Sequence, residues 1–485
     1  MPRSETATDH VDVLIVGAGL SGVGAAVHLH EGLPELSYAV LERRSEMGGT
    51  WDLFRYPGVR SDSDMHTLGY RFRPWHDDNV LADGASIKRY VEDTAAEYGV
   101  TEHIRFGHRV VSADWDSDAG VWTVGYEVDG VPGTLTSRFV WACSGYYSYD
   151  EGHTPDFAGV EDFRGQLVHP QFWPEDLDYA GKKVVVIGSG ATAVTLVPSM
   201  ADEVERITML QRSPTYILSI PRKDPLGPAV RAVLPEKTAA GLARWRNVLL
   251  QAGLFQASQR RPDMIRKLIR SATERQLPEG YDVDTHFKPS YDPWDQRMCM
   301  VPNGDLFKAI RAGKAEIATD RIDRFTEKGI LLASGEELEA DIVVTATGLK
   351  LQLFGGVDVS VDGERVEPHE RIVYKGCMLD GVPNLWFVIG YTNASWTLKA
   401  DLVSEYVVRV LQKMGRHGES VVRPVRGDDI ETVPLMPLQS GYVQRAVGEL
   451  PQAGSRAPWQ MPNNYLVDIV RLRRGRLRDG ALTFS

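Results

Sequence analysis

Residues 11–23 read Val-Asp-Val-Leu-Ile-Val-Gly-Ala-Gly-Leu-Ser-Gly-Val, a short β-branched run that stops on three glycines. From Val13 to His30 there is no Lys, Arg, Asp or Glu. An 18-residue stretch of this kind could be taken for a membrane span, but the glycines divide it. The reading is a parallel strand, a turn and the start of a helix, apolar because helices cover both faces of such a sheet. Gly17 permits the tight turn, Gly19 lets a pyrophosphate approach the backbone, and Gly22 lets helix and strand pack closely. The phosphates then rest at the positive helix N-terminus, where Ser21 stands. Gly17, Gly19, Ser21 and Gly22 are therefore candidate cofactor-binding residues of an α/β fold.

The next strand, Tyr38 to Leu41, ends at Glu42, twenty residues beyond Gly22. A carboxylate there accepts from ribose hydroxyls and favours a free 2'-OH. The unit recurs downstream: Lys183 to Ile187 is a strand, and Gly188-Ser-Gly190-Ala-Thr192-Ala193 a second turn in which Ala193 replaces the third glycine. After the following strand, Arg206 to Leu210, come Arg212 and Ser213, a cation and a hydroxyl where the first unit has an acid. A lone arginine after a strand is ordinarily a solvated surface residue. Its place relative to a glycine turn suits it to a 2'-phosphate, which an acid would repel. Two such units in 485 residues imply two dinucleotide-binding (Rossmann-like) domains.

Two further patterns carry a family likeness. Phe163, Gly165, His169, Trp173 and Pro174 satisfy F-x-G-x-x-x-H-x-x-x-W-P in the linker between the two turns. Gly49, Trp51, Tyr56, Pro57, Gly58 and Asp62 satisfy a second long pattern after Glu42. Together they resemble type I Baeyer-Villiger flavin monooxygenases, most closely the subgroup that includes the ethionamide-activating monooxygenase. The resemblance implies FAD on the first turn, with Gly49, Thr50, Trp51 and Asp62 around the flavin and the Val110 backbone at the adenine. NADPH falls on the second turn, at Gly188, Gly190, Thr192, Ala193, Arg212 and Ser213. It also implies Arg297 and Asp62 as catalytic residues, O2 as co-substrate, a ketone that becomes an ester, and S-oxygenation of sulfides or thioamides. Residues 1–150 and 346–485 then form the FAD domain and 151–345 the NADPH domain. The linker's role is to set how the domains move, with His169 a structural histidine. The likeness has gaps: Gln296 stands where many relatives have Lys, which bears on NADPH preference. The C-terminus also lacks the W-x-x-G-A-N segment of relatives acting on cyclic ketones.

The remaining features narrow the class. A net charge of -12 argues against nucleic acid, whose phosphates need a basic footprint. Three scattered cysteines give no disulfide framework and no metal site, and fit a reducing cytoplasm. The polar Met1 to His10 leads directly into a strand, so no signal peptide is expected. Residues 221–290, proline-punctuated and basic, read as a helical insertion in the NADPH domain. Leu242, Trp245, Leu249 and Leu250 share a face there, flanked by Arg244 and Arg246. A lid packed on the NADPH domain is preferred to a helix lying on a membrane. Two rival functions stay open: an N- or S-oxygenating flavin monooxygenase without ketone activity, and a non-catalytic nucleotide-binding redox sensor.

Overall fold

The computed structural model describes residues 9–296, 298–436 and 440–485. Arg297 lies outside the described residues. The first sheet has a parallel core in the order Ile104–Arg105, Tyr38–Leu41, Asp9–Val16, Val131–Ala142 and Leu385–Phe387. Val16 lies opposite Leu41 in the register, so the Gly17 turn and Glu42 emerge at one sheet edge. That edge, at the carboxyl ends of the strands, is where such sheets hold ligands.

Strand Val131–Ala142 changes partner half-way. Its first half pairs antiparallel with Val121–Val128, and Leu135 onward runs parallel to the first strand. Beyond it Arg109–Asp116 pairs antiparallel with Val121–Val128, Asp358–Val361 runs parallel to Arg109–Asp116, and Glu364–Arg365 closes antiparallel on Asp358–Val361. A turn at Gly107, with φ +69, parts Ile104–Arg105 from Arg109–Asp116.

The second sheet is wholly parallel, in the order Ala315–Thr319, Arg206–Gln211, Lys183–Ile187, Ile342–Thr345 and Gln166–Val168. Val184, Val185 and Val186 are at most 1% exposed, as a strand covered on both faces requires. Helices Leu20–Gly32 and Ala191–Met200 begin at the two glycine turns. The described residues contain no helix long and apolar enough to cross a membrane.

The insertion lies between the paired strands Ile217–Ile220 and Cys299–Pro302. It comprises helices Gly227–Val233, Glu236–Arg260, Pro262–Glu274 and Val283–His286. Its packing corrects the sequence expectation. The long helix turns its polar side toward the first domain: Arg244 donates to the carbonyls of His66 at 3.1 Å and Gly69 at 2.7 Å, and Asn247 and Gln251 donate to Asp64. Leu242, Trp245, Leu249 and Leu250 face outward at 53, 46, 56 and 64% exposure. The carbonyls at the end of helix Met65–Leu68 lack partners within their own helix, and the guanidinium supplies one. Helix Pro262–Glu274 meets the second domain, packing Ile265 and Ile269 with Tyr216 and Met298.

Helix Trp396–His417 lies along Leu20–Gly32, where a Cβ on Gly32 would fall 2.5 Å from Val408. Strands Val422–Pro424 and Leu482–Phe484 lie beyond this helix and pair with each other. The tail helix starts at Tyr465, capped by Asn464, and widens into a π turn over Ile469–Arg474. Arg473 on it pairs with Glu405, and the tail is pinned by a buried ion pair, Lys399 to Asp468 at 2.7 Å.

Candidate active site

Gly17 has φ +100, and a Cβ on it would stand 2.8 Å from the Cys143 carbonyl oxygen. On Gly22 a Cβ would strike the Gly17 carbonyl at 1.8 Å. Only bare backbone fits at either position, so the N–H groups at the start of helix Leu20–Gly32 face the cavity unobstructed. Ser21 accepts a hydrogen bond from the Trp396 indole at 2.7 Å, which fixes the hydroxyl at this end. Glu42 is 3% exposed and accepts from the backbone N–H groups of Ala18 at 2.8 Å and Arg44 at 2.9 Å. Burial pushes its pKa up, and the two N–H donors oppose the shift.

A cavity of about 660 Å³ runs from this turn to the second one. Gly49, Thr50, Trp51, Asp62 and Val110 line it, all expected from sequence. Thr50 Oγ1 stands 2.5 Å from the Tyr147 hydroxyl. The bare turn, the buried acid beside it and the aromatic wall at Trp51 fit an FAD.

The second turn repeats the geometry. Gly188 has φ +132, and a Cβ there would meet the Ala346 carbonyl at 2.4 Å. Gly188, Gly190, Thr192 and Arg212 line the same cavity, whereas Ala193 is fully buried and serves packing. Ser213 departs from expectation. It is exposed and outside the cavity wall, and its carbonyl accepts from Ser189 at 3.3 Å. Thr215 takes the expected place, lining the cavity with its hydroxyl 2.7 Å from that of Ser189. Its signal was present, a hydroxyl two residues further along. The bare turn, and an Arg212 that pairs with no acid among the described residues, fit a nucleotide that carries a 2'-phosphate.

Residues 55–62 bind the two halves together. A Cβ on Gly58, φ +75, would fall 1.8 Å from Ser199 Oγ on helix Ala191–Met200. Arg60 pairs with Asp305 at 2.6 Å, and Tyr56 is buried beside Thr192, its phenol pushed up to about 12 by burial. Gln296 and Cys299 complete the wall, residues that the glycine patterns do not reach.

None of Phe163, Gly165, His169, Trp173 or Pro174 lines this cavity. Phe163 and Trp173 pack instead against the clusters around the second sheet. Gly165 lies where a Cβ would be 2.4 Å from the Asp341 carbonyl, and Phe163 meets Phe325 edge-on at 5.8 Å. Trp173 packs on Tyr179. His169 presses its ring on Gly152 and accepts from the Gln171 N–H at 3.2 Å, with its pKa lowered by burial. Gln171, passed over in the sequence, donates to Ser148 across the joint at 2.8 Å.

The family described as flavin-binding monooxygenase-like matches residues 10–415. The chain belongs to the flavin-binding monooxygenase family. The FAD-containing monooxygenase EthA of Mycobacterium tuberculosis (strain ATCC 25618 / H37Rv) is 57% identical over 480 residues, covering 99% of this chain and 98% of that one. The probable FAD-binding monooxygenase AlmA of Acinetobacter baylyi is 49% identical, covering 98% and 96%. An oxidized steroid monooxygenase bound to NADP superposes with a TM-score of 0.78 at 20% identity, covering 98% of this chain and 99% of that one. Cyclohexanone monooxygenase in an open crystal structure gives 0.75 at 19%, covering 99% and 100%. This flavin-binding monooxygenase therefore shares its two-domain fold with steroid and cyclohexanone monooxygenases, and its sequence with EthA and AlmA.

Proposed function

We propose that this monooxygenase performs Baeyer-Villiger oxidation: a ketone, O2, NADPH and a proton give an ester, NADP+ and water. FAD and NADPH are its cofactors, on the first and second turns, in domains formed by residues 1–150 with 346–485 and by 151–345. The observation that carries the reading is that both turns open on one cavity, with Trp51 and Asp62 in its wall. Bound FAD supplies the activation of O2, and NADPH the electrons.

The chain's own residues bind, orient and exclude water. Glu42 accepts from the ribose hydroxyls of FAD, and Arg212 pairs with the 2'-phosphate of NADPH. Trp51, Tyr391 and Trp396 wall the cavity against water. Arg297 supplies the fixed cation that charge developing on the carbonyl oxygen requires, since Arg stays protonated at every accessible pH. Asp62 orients that guanidinium. The linker around His169 governs how the domains move relative to each other between hydride delivery and oxygen insertion. The same cavity oxidises the sulfur of sulfides and thioamides. The kinship to named FAD monooxygenases and the fold shared with a cyclohexanone monooxygenase support this reading. The test is NADPH consumption by the yellow holoenzyme. A ketone should accelerate it, and a rate indifferent to ketones would overturn the Baeyer-Villiger reading.

A further inference from the structure

Among the described residues five arginines line the cavity: Arg43, Arg60, Arg109, Arg212 and Arg445. Asp150 neutralises Arg43 and Arg109, and Asp305 neutralises Arg60. Arg212 is taken by the 2'-phosphate in the reading above. Arg445 has no assigned task, and among the described residues it makes no hydrogen bond or ion pair. It lies on helix Gly441–Ala446, and its Nη2 sits 3.4 Å from where a Cβ on Gly348 would stand. Gly348 has φ +112, so the position belongs to glycine and the guanidinium rests against bare backbone. Burial lowers the Arg445 pKa, and no acidic neighbour opposes the shift. The side chain is exposed at the cavity wall, so an anionic ligand entering the cavity can reach the guanidinium and pair with it.

The place of Arg445 indicates which ligand. Gly348 follows by two residues Ala346, whose carbonyl abuts Gly188 of the second turn. Two residues of chain reach at most about 7 Å. Arg445 thus stands close to the turn that carries the nicotinamide nucleotide, on another wall of the same cavity. We propose that Arg445 binds the diphosphate of the nicotinamide nucleotide, which it and the Gly188–Gly190 backbone hold jointly. This rests on the reading of the second turn. Arg212 then distinguishes the two nucleotides, while Arg445 serves the diphosphate common to both.

The test is titration of FAD-loaded protein with NADP+ and with NAD+, followed through the flavin absorbance, for wild type, Arg445→Gln and Arg445→Lys. Arg445→Gln should weaken both nucleotides by roughly tenfold, the size of a charge-assisted contact, with their ratio unchanged. Arg445→Lys should recover part of the loss, and FAD content should stay at the wild-type level. Unchanged affinity for both nucleotides overturns the proposal. So does a loss confined to NADP+, which would place Arg445 on the 2'-phosphate. Intact nucleotide binding with a raised KM only for ketones bearing a carboxylate would make it a substrate anchor and overturn it too. If wild type binds neither nucleotide, the reading of the second turn fails and the proposal falls with it. That result is distinct from a wild type that binds both and a variant that binds them equally well.

Discussion

Arg244 Nη2 stands 3.4 Å from Oδ2 of Asp401, 157 positions along the chain, and the pair joins the helical insertion to the first domain. Asp401 is 3% exposed, and His28, Arg244 and the Arg71 N–H together outweigh burial and lower its pKa. Arg244→Ala leaves that carboxylate buried without its guanidinium. The variant should lose about 3–5 kcal/mol of stability in urea unfolding of the holoenzyme, and Arg244→Lys less. A folded pKa below the unfolded one means that the contribution is complete above the unfolded value of about 3.9 and is lost as pH falls through the lower folded value.

His66, 3.3 Å from Asp224 at the same joint, titrates higher. Burial lowers its pKa, outweighing the pull of Asp64 and Asp224, while Arg246 reinforces the shift. The folded protein therefore takes up a proton less readily than the unfolded chain, and stability declines as pH falls below about 6.5. His153, His169 and His286 are shifted the same way, each chiefly by burial. Replacing His66 by Gln should reduce the slope of stability against pH below 6.5 by up to about 1.4 kcal/mol per pH unit. Thermal unfolding at a series of pH values measures it.

Arg212→Ala should raise KM for NADPH by roughly tenfold or more and leave KM for NADH nearly unchanged, because only the 2'-phosphate loses its partner. Steady-state kinetics with each nucleotide gives the ratio. Equal losses would remove Arg212 from that role.

Much of this site was legible where chemistry demands fixed spacing. Gly17, Gly22 and Gly188 were readable because a Cβ at each would strike a carbonyl, so the residue type is forced. Asp62 and Trp51 came from a long pattern and Val110 from the family resemblance, and all three line the cavity. The period of Leu242, Trp245, Leu249 and Leu250 showed an apolar face. It could not show that the opposite face would find the unpaired carbonyls after Met65–Leu68 and turn the stripe outward. Long-range pairs such as Lys399 with Asp468 leave no local period at all. Ser213 and Thr215 differ only in how the chain bends after Gln211, which composition does not encode.

Arg297→Ala should fold and retain FAD, yet form ester roughly a hundredfold more slowly, the loss seen when one donor to a developing oxyanion is removed. NADPH consumption should persist with release of hydrogen peroxide. Asp62→Ala should be impaired as well, with slower flavin reduction among its defects. Stopped-flow reduction and product yield, measured together, separate the two effects.

The central claim is oxygen insertion beside a ketone carbonyl. Holoenzyme supplied with NADPH, ¹⁸O₂ and a panel of linear, aryl and cyclic ketones, with a thioether alongside, tests it through mass spectrometry of the products. Ester with one labelled oxygen should form only when NADPH is present, with cyclohexanone a poor substrate. Labelled sulfoxide from the thioether with no ester from any ketone would contradict it.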